Sequence, residues 1–511
     1  MKNQPSLAIK KIKPQRSELN TLIEHFQNKQ YDEAERLALT LTDKFKTHPF
    51  GWKVLGAVFN KTGRLSEGLI ACQKSVELDP ENAEAYYNMA VTLKELGRLE
   101  EAEENYRKTI ALNPINTLSH FNLGNILKEL DRLEEAEVSY KKAIMHKPDF
   151  ADAYNNLGNT LHELSRLEES EESYKNAITL KPDFADAYNN LGITLKDLDR
   201  LQEAEEIYNK VIILKPEFTE ALLNRGQLLF DRGEYEAALI DFDLCNTGSS
   251  RARSLSCLYA LGRIEDIYKR IEAQKEVDGE NLRIAAIASF IAEKEQKDTA
   301  HNFCKNPLEF IHFSNISTHF EDSNLFIDEL IEELHNVKTT WEPYGRAAIK
   351  GFVTGKKFNL FASPSGKLAQ LKAIINDEID IYYSKFKNES CSYIQKWPSI
   401  KNLFGWHVIL KQQGNQKVHI HPSGWLSGVI YLKVVPSLGK DEGSIEFGLS
   451  GKRYSHVDSP KFIHQPNLGD IVFFPSSLHH RTIPFTSDTD RIIVSFDLTP
   501  EGKQYLSYGN N

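Results

Sequence analysis

"KPDFADAYNNLG" stands at residues 147–158 and again, letter for letter, at 181–192. The copies lie 34 residues apart, and the same spacing extends outward in both directions. Prolines fall at 80, 114, 148, 182 and 216, each closing a helical pattern such as "YKNAITLKP". Small residues keep the period at Ala34, Gly68, Ala102, Ala136, Ser170, Ala204 and Ala238. Proline ends a helix because it has no N–H for the hydrogen-bond ladder. A small residue is required where two helices cross closely.

A 34-residue period of paired amphipathic helices is the signature of tetratricopeptide repeats. About seven are expected over residues 18–250, forming an α-helical solenoid. The next stretch, "CNTGSSRARSLSCLYALGRIEDIY" (245–268), keeps the helical character, but its glycine arrives five residues early. Residues 251–304 therefore read as a degenerate repeat and helical cap, which a solenoid needs to cover its exposed end. Residues 1–17, with the basic run "KNQPSLAIKKIKPQR", read as a flexible basic tail.

Asparagine also recurs with the period, at Asn88, Asn122, Asn156, Asn190 and Asn224, always on the first helix of the pair. Here the chain resembles the repeats of O-linked N-acetylglucosamine transferase, whose asparagines at this position line a groove and bind peptide backbone. An amide offers both donors and an acceptor to a peptide bond. The resemblance implies capture of a protein or peptide. The competing reading is an amide that hydrogen-bonds a neighbouring helix.

The 511 residues allow two or three domains. With 62 basic against 72 acidic residues, the chain lacks the concentrated basic face of a nucleic-acid binder. Five widely spaced cysteines without a CxxC pair fit free thiols in a reducing compartment. No apolar stretch has the length of a membrane span. The expectation is a cytoplasmic protein acting without membrane or nucleic acid.

From about residue 305 the pattern changes. Helical stretches "NLFIDELIEELHNV" (324–337) and "GKLAQLKAIINDEIDIYYSKF" (366–386) come first. Runs rich in β-branched and aromatic residues follow at 405–411, 425–435, 443–448, 469–475 and 490–498. Such a series predicts, over 305–511, an α+β domain with a double-stranded β-helix (jelly-roll) core. No Rossmann glycine motif or P-loop occurs.

Within this region "HIHPSGWLSGVIYL" (419–432) sets two histidines one residue apart before a strand. Alternation along an extended chain turns His419 and His421 to one side, roughly 7 Å apart at the backbone. A third ligand would come from another strand, and "GDIVFFPSSLHHRTIPF" supplies His479 and His480. Arg491 follows, with ten residues between it and His480.

In these motifs the chain resembles the Fe(II)/2-oxoglutarate oxygenases, closest to a bacterial and phage group with "HxHP…LSGVYY" and "FPS…H". The resemblance covers roughly residues 400–500, and 305–400 only loosely. It implies Fe(II) and 2-oxoglutarate as cofactors, His419, His421 and His480 as metal ligands, and Arg491 as the cation for the distal carboxylate. Ser495, on the face of Arg491, and Tyr431 are further cofactor-binding candidates. Prolyl and aspartyl hydroxylases that join such repeats to this barrel have a similar architecture.

The chain departs from that superfamily where His421 replaces the usual carboxylate. Glu446 and Asp470 are alternative ligands. The substitution also admits a three-histidine, cupin-like dioxygenase of a small molecule, and a non-enzymatic scaffold with an inactive barrel is a third reading. His479 reads as a pocket or strand-end residue, His407 as structural, and His456 and His464 as loop residues near the mouth.

Overall fold

The computed structural model describes residues 14–343, 347–355 and 358–501. Residues 1–13 of the expected tail lie outside these, while Arg16 and Ser17 already belong to the first helix, Arg16–Gln27. The chain forms two compact units, residues 1–216 and 217–511.

The first unit is an array of helix pairs such as Ala151–Glu163 with Leu167–Leu180. Between the two helices of each pair one residue turns left-handed: Lys29, Gly63, Gly97, Asp131, Ser165 and Asp199, with φ between 58° and 77°. Repetition of this one strained position accounts for the short connection. A Cβ at Gly124, Gly158 or Gly192 would meet the ring of Tyr140, Tyr174 or Tyr208 at 2.5–2.7 Å. Glycine thus lets the first helix ride on the aromatic ring of the second. The periodic small residues Ala102, Ala136, Ser170 and Ala204 are fully buried at the crossings. Successive pairs are stitched by Arg132, Arg166 and Arg200, which reach back to Glu103, Glu137 and Glu171, each at 2.6 Å. First helices of neighbouring pairs also touch, for example Ala151–Glu163 and Ala185–Asp197, as on the inner wall of a curved array.

The second unit opens with helices Thr219–Asp231, Tyr235–Cys245, Gly248–Ala260, Ile264–Asp278 and Leu282–Glu295. Gly233 and Gly262 take the same left-handed turn position, at φ 82° and 70°. The early glycine therefore closes a shortened helix pair. Among all described residues, no helix is long and apolar enough to cross a membrane.

The rest of the unit is an antiparallel β-domain. Its strands are β1 (His312–Asn315), β2 (Thr339–Trp341), β3 (Ala348–Thr354), β4 (Asn402–His419), β5 (Leu426–Lys433), β6 (Ile445–Gly448), β7 (Lys461–His464), β8 (Asp470–Pro475), β9 (His479–Thr482) and β10 (Arg491–Thr499). Their order is β1-β8-β5-β10-β4-β9-β6-β7, with β3 also on β4 and β2 on β3. The long β4 pairs with β10 through 402–410 and with β9 near its end, so it passes from a larger to a smaller group of strands. The result is a jelly-roll-like half-barrel following a tetratricopeptide solenoid.

Strand alternation decides what enters the barrel. Along β10, Ile492, Val494, Phe496 and Leu498 join the apolar cluster formed with helices Ser323–His335 and Gly366–Phe386. The other face of β10 carries Arg491, Ile493, Ser495 and Asp497. On the facing β5, Ser427, Val429 and Tyr431 point the same way, in register with Asp497, Ser495 and Ile493.

Candidate metal centre

His419 ends β4, His421 follows in the turn before β5, and His480 lies at the start of β9. These three rings converge although His480 is some sixty residues away along the chain (~60, by the spacing of the motifs). One ring nitrogen of each lies within 4.8 Å of the others. All three are buried, and the Nε2 atoms of His419 and His421 are 3.3 Å apart. The backbone explains the meeting: His419 pairs directly with His480 across β4 and β9, and the His421 N–H donates to the Ser476 carbonyl at 2.9 Å.

Every ring is held by its other nitrogen. His419 Nδ1 donates to the Lys417 carbonyl at 2.7 Å, His480 Nδ1 to the Leu478 carbonyl at 3.2 Å, and His421 Nδ1 to Asp497 Oδ1 at 2.6 Å. Each of these partners is an oxygen, so Nδ1 carries a hydrogen, and Nε2 is left as the ligand atom of each ring. Burial, reinforced by the neighbouring imidazoles, pushes His419 down to about 3 and His480 well below the ordinary histidine range. Three imidazoles turned to one point form a donor set suited to a divalent transition metal.

Asp497 is fully buried and also accepts from Ser427 Oγ at 2.6 Å; Ser427 in turn meets Ser476 Oγ at 2.7 Å. Gly424 makes room for this network, since a Cβ there would lie 2.5 Å from Ser476 Oγ. The sequence reading passed over Asp497, although it shares a strand face with Arg491 and Ser495. A carboxylate is therefore present at the centre, as the hydrogen-bond partner of His421.

A narrow internal cleft runs from His421 and His480 to Arg491, Tyr431 and Ser495, with Trp406, Phe474 and Ile493 as apolar walls. Its empty volume is ≈ 320 Å³, but only ≈ 20 Å³ admits the centre of a water molecule. Arg491 is buried, and its Nε and Nη1 atoms have no hydrogen-bond partner, nor does the Tyr431 hydroxyl. The guanidinium carbon stands 5.0 Å from the Tyr431 ring. Burial lowers the Arg491 pKa and raises that of Tyr431. An uncompensated buried cation is costly unless an anion accompanies it.

The remaining candidates separate cleanly. His479 turns away from the cluster, as alternation requires, and its Nε2 lies 3.4 Å from the Tyr454 hydroxyl. Glu446 is engaged by Arg481 at 2.8 and 3.0 Å, and Asp470 by Asn315, Asn467 and His464, so neither alternative carboxylate joins the three rings. His407 is buried on the opposite sheet face with both ring nitrogens unpartnered. His456 is exposed on its loop, and His464 lies on β7.

In the repeats, Asn88, Asn122, Asn156 and Asn190 of the first unit and Asn224 of the second are all half-buried on first helices. Three of the amides bond the preceding pair: Asn122 Nδ2 donates to Tyr87 Oη at 3.1 Å, Asn156 to Asn125 Oδ1 at 2.9 Å and Asn190 to Asn155 Oδ1 at 3.1 Å. Neighbour bonding thus uses one amide donor at each of these positions.

Residues 405–497 match the family model described as "Putative 2OG-Fe(II) oxygenase". Tetratricopeptide models match 71–104, 105–138, 124–165, 158–199 and 189–244. The chain is a repeat protein with an oxygenase-type domain towards its C-terminus. No curated protein matches it. Among solved structures, YrrB, described as a TPR protein with an unusual peptide-binding site, is similar at 22% identity over 36% of this chain and 95% of its own, with a TM-score of 0.34. PilF of Pseudomonas aeruginosa is similar at 22% identity over 41% and 97%, with a TM-score of 0.35. MamA of Desulfovibrio magneticus RS-1 shares 22% identity over 33% and 94%, with a TM-score of 0.32.

Proposed function

We propose that the protein is an Fe(II)- and 2-oxoglutarate-dependent oxygenase, a hydroxylase whose repeats capture a protein or peptide. The observation that carries this reading is a cluster of three imidazoles, two of them lining the same cleft as a buried guanidinium whose Nε and Nη1 have no partner among the described residues. His419, His421 and His480 would hold the metal, leaving open positions for a keto acid and dioxygen. Bound there, ferrous iron supplies the chemistry by which 2-oxoglutarate, dioxygen and a C–H group become succinate, carbon dioxide and an alcohol.

The protein's own groups do the rest. Asp497 orients His421 and strengthens its donation, which offsets part of the electron donation lost with a direct carboxylate ligand. Arg491 offers a bidentate fork to the distal carboxylate of 2-oxoglutarate, beside Tyr431 and Ser495. A three-histidine dioxygenase without a keto acid would have no use for that cation. Since the cleft has room for about one water centre, the cosubstrate must widen it on entry.

For the repeats, the asparagine series is the proposed peptide-binding wall. At Asn122 and Asn190 the amide has a second N–H and its oxygen besides the bond to the preceding pair, while the Asn156 oxygen also accepts from Asn155 Nδ2. A partner tethered to the chain reaches the oxygenase domain at raised effective concentration. We assign residues 18–250 to the repeats, 251–304 to the degenerate repeat and cap, 305–511 to the oxygenase-like domain, and a cytoplasmic setting to the whole.

The ligand assignment is tested by anaerobic ferrous titration of variants. His419→Ala and His480→Ala should abolish stoichiometric binding, whereas His479→Ala should retain it. Equal loss in both distal variants would remove the support for His480.

A further inference from the structure

Two cysteines that lie far apart in the chain are neighbours in the second unit. Cys304 belongs to the segment that follows helix Leu282–Glu295, and Cys391 stands directly before the short helix Ser392–Gln395, which leads to β4. The Ser392 and Tyr393 N–H groups donate to the Asn302 and Phe303 carbonyls at 2.9 and 2.8 Å, so the two segments lie side by side. Across this contact the two thiols hydrogen-bond each other. Both segments are anchored. Ser289 Oγ donates to the Cys304 carbonyl at 2.9 Å, which fixes one sulfur to helix Leu282–Glu295. Trp425 Nε1 donates to the Tyr393 carbonyl at 2.8 Å, and the Tyr393 and Tyr382 hydroxyls meet at 2.9 Å, which fixes the other to the barrel.

The two thiols are not equivalent. Cys304 is 2% exposed, whereas Cys391 is half-buried and follows residues 387–390, all exposed, so a small solute reaches Cys391 first. Burial pushes Cys304 well above the ordinary thiol range, as it pushes Cys72 up to about 11 and Cys245 and Cys257 up to about 12. Cys391 moves the other way. The hydrogen bond from the Cys304 thiol, helped by the N–H groups of Ile394 and of Cys391 itself, outweighs burial and the nearby Glu389 and lowers it to about 7. The thiolate is the nucleophile of thiol chemistry, and here about half of Cys391 is ionised at neutral pH. The other contacts of cysteine sulfur are with oxygen: Cys72 with the Thr92 hydroxyl at 3.8 Å and Cys245 with the Thr219 carbonyl at 3.5 Å. An exposed, acidic thiol beside a buried second thiol is the arrangement that oxidation converts to a disulfide.

We propose that Cys391 and Cys304 are a peroxide-responsive thiol pair, in which a hydroperoxide reacts at Cys391 and the resulting disulfide staples the segment behind helix Leu282–Glu295 to the segment before β4. The Cys391 thiolate attacks the terminal peroxide oxygen, forming an S–O bond as the O–O bond breaks, and the leaving alkoxide or hydroxide takes up a proton. Cys304 then loses its proton, and its sulfur attacks the Cys391 sulfur and expels hydroxide, which leaves as water. Two thiols and one hydroperoxide thus give one disulfide, one alcohol (water, for hydrogen peroxide) and one water; the sulfurs lose the two electrons that the O–O bond gains. In a reducing compartment the pair rests as thiols and closes only under oxidant. None of this depends on the metal centre or on the oxygenase reading.

The test is peptide mapping of the full-length, metal-free chain, reduced and then treated at neutral pH with stoichiometric hydrogen peroxide, the remaining thiols being blocked with iodoacetamide. Two of the five thiols should be lost, with one peptide pair joined through Cys304 and Cys391 and released by dithiothreitol. The oxidised chain should melt at a higher temperature, because the bond closes a long loop of the unfolded chain. Cys304→Ser should still consume peroxide but stop at a Cys391 sulfenic acid that dimedone traps, whereas Cys391→Ser should consume it about tenfold or more slowly. If Cys304→Ser does not fold, alkylation of the wild type decides: Cys391 should react with iodoacetamide about tenfold or more faster than Cys245, the other half-buried thiol. No joined peptide, a bond formed mainly between two chains, or Cys245 reacting as fast as Cys391 overturns the inference.

Discussion

Asp497→Asn separates the role of the buried carboxylate from that of the rings. The side chain keeps its shape, and Oδ1 can still accept from His421 Nδ1 and Ser427 Oγ, both now at 2.6 Å. What it loses is charge. A hydrogen bond to a charged group is worth about 1.5–3 kcal/mol, against about 0.5–1.5 for a neutral pair, so the two bonds together weaken by about 2 kcal/mol. The part felt through His421 should lower metal affinity about 10–100-fold, the range found when the partner of a metal-bound histidine is changed. Anaerobic competition between the protein and a chromophoric chelator, with Fe(II) and with Co(II), measures this directly. Glu446→Gln is the control, because its carboxylate pairs with Arg481 away from the rings. Affinity of Asp497→Asn within twofold of wild type, in a folded protein, would refute the orienting role.

Four further outcomes are expected. Arg491→Met should weaken 2-oxoglutarate binding by about 2–5 kcal/mol while leaving metal affinity intact; because it removes an unpartnered buried charge, it should also leave unchanged or raise the melting temperature of the ligand-free chain. Buried His407, His419, His479 and His480 all have pKa values below the ordinary 6.5, so the unfolded chain binds more protons than the folded one as pH falls. Stability of the metal-free barrel should therefore be full above pH 6.5 and fall below it, by up to about 1.4 kcal/mol per pH unit for each ring; melts between pH 7 and 5 check this, and His407→Gln should lessen the slope. Gly428→Ala places a Cβ 2.2 Å from Phe496 Cζ and should cost about 1–3 kcal/mol in denaturant unfolding. Replacing Asn122, Asn156 and Asn190 together by Ala should weaken partner capture by roughly 1.5–4.5 kcal/mol if the terms add; an unaltered partner profile with only a lowered melting temperature would leave these amides a purely structural role.

The helical array is legible in the sequence because its constraint repeats. Pro148 and Pro182, Gly158 and Gly192, and Ser170 and Ala204 each mark a position where packing admits few residue types. Alternation likewise exposes β5, β8 and β10, which are long and buried. The short β1, β2, β7 and β9 escape it: four residues such as Lys461–His464, largely exposed, carry no two-residue hydrophobic rhythm. Five strands, part of β4 with β5, β6, β8 and β10, were therefore readable, while β1, β2, β3, β7 and β9 were not. At the site, His419 and His421 announce themselves by spacing, and His480 and Arg491 by motif. Asp497 does not, since its meaning depends on pairing between β10 and β5 and on the turn that brings His421 across.

The central claim is that three histidines and Arg491 constitute an iron site driven by 2-oxoglutarate. Anaerobic reconstitution of the full-length chain with Fe(II), followed by 2-oxoglutarate and air, with succinate as the readout, tests it most directly. The account predicts about one iron per chain and succinate formation that is lost in His480→Ala and restored in Arg491→Met only by a large excess of 2-oxoglutarate. A chain that binds iron stoichiometrically yet yields no succinate at any 2-oxoglutarate concentration would contradict it.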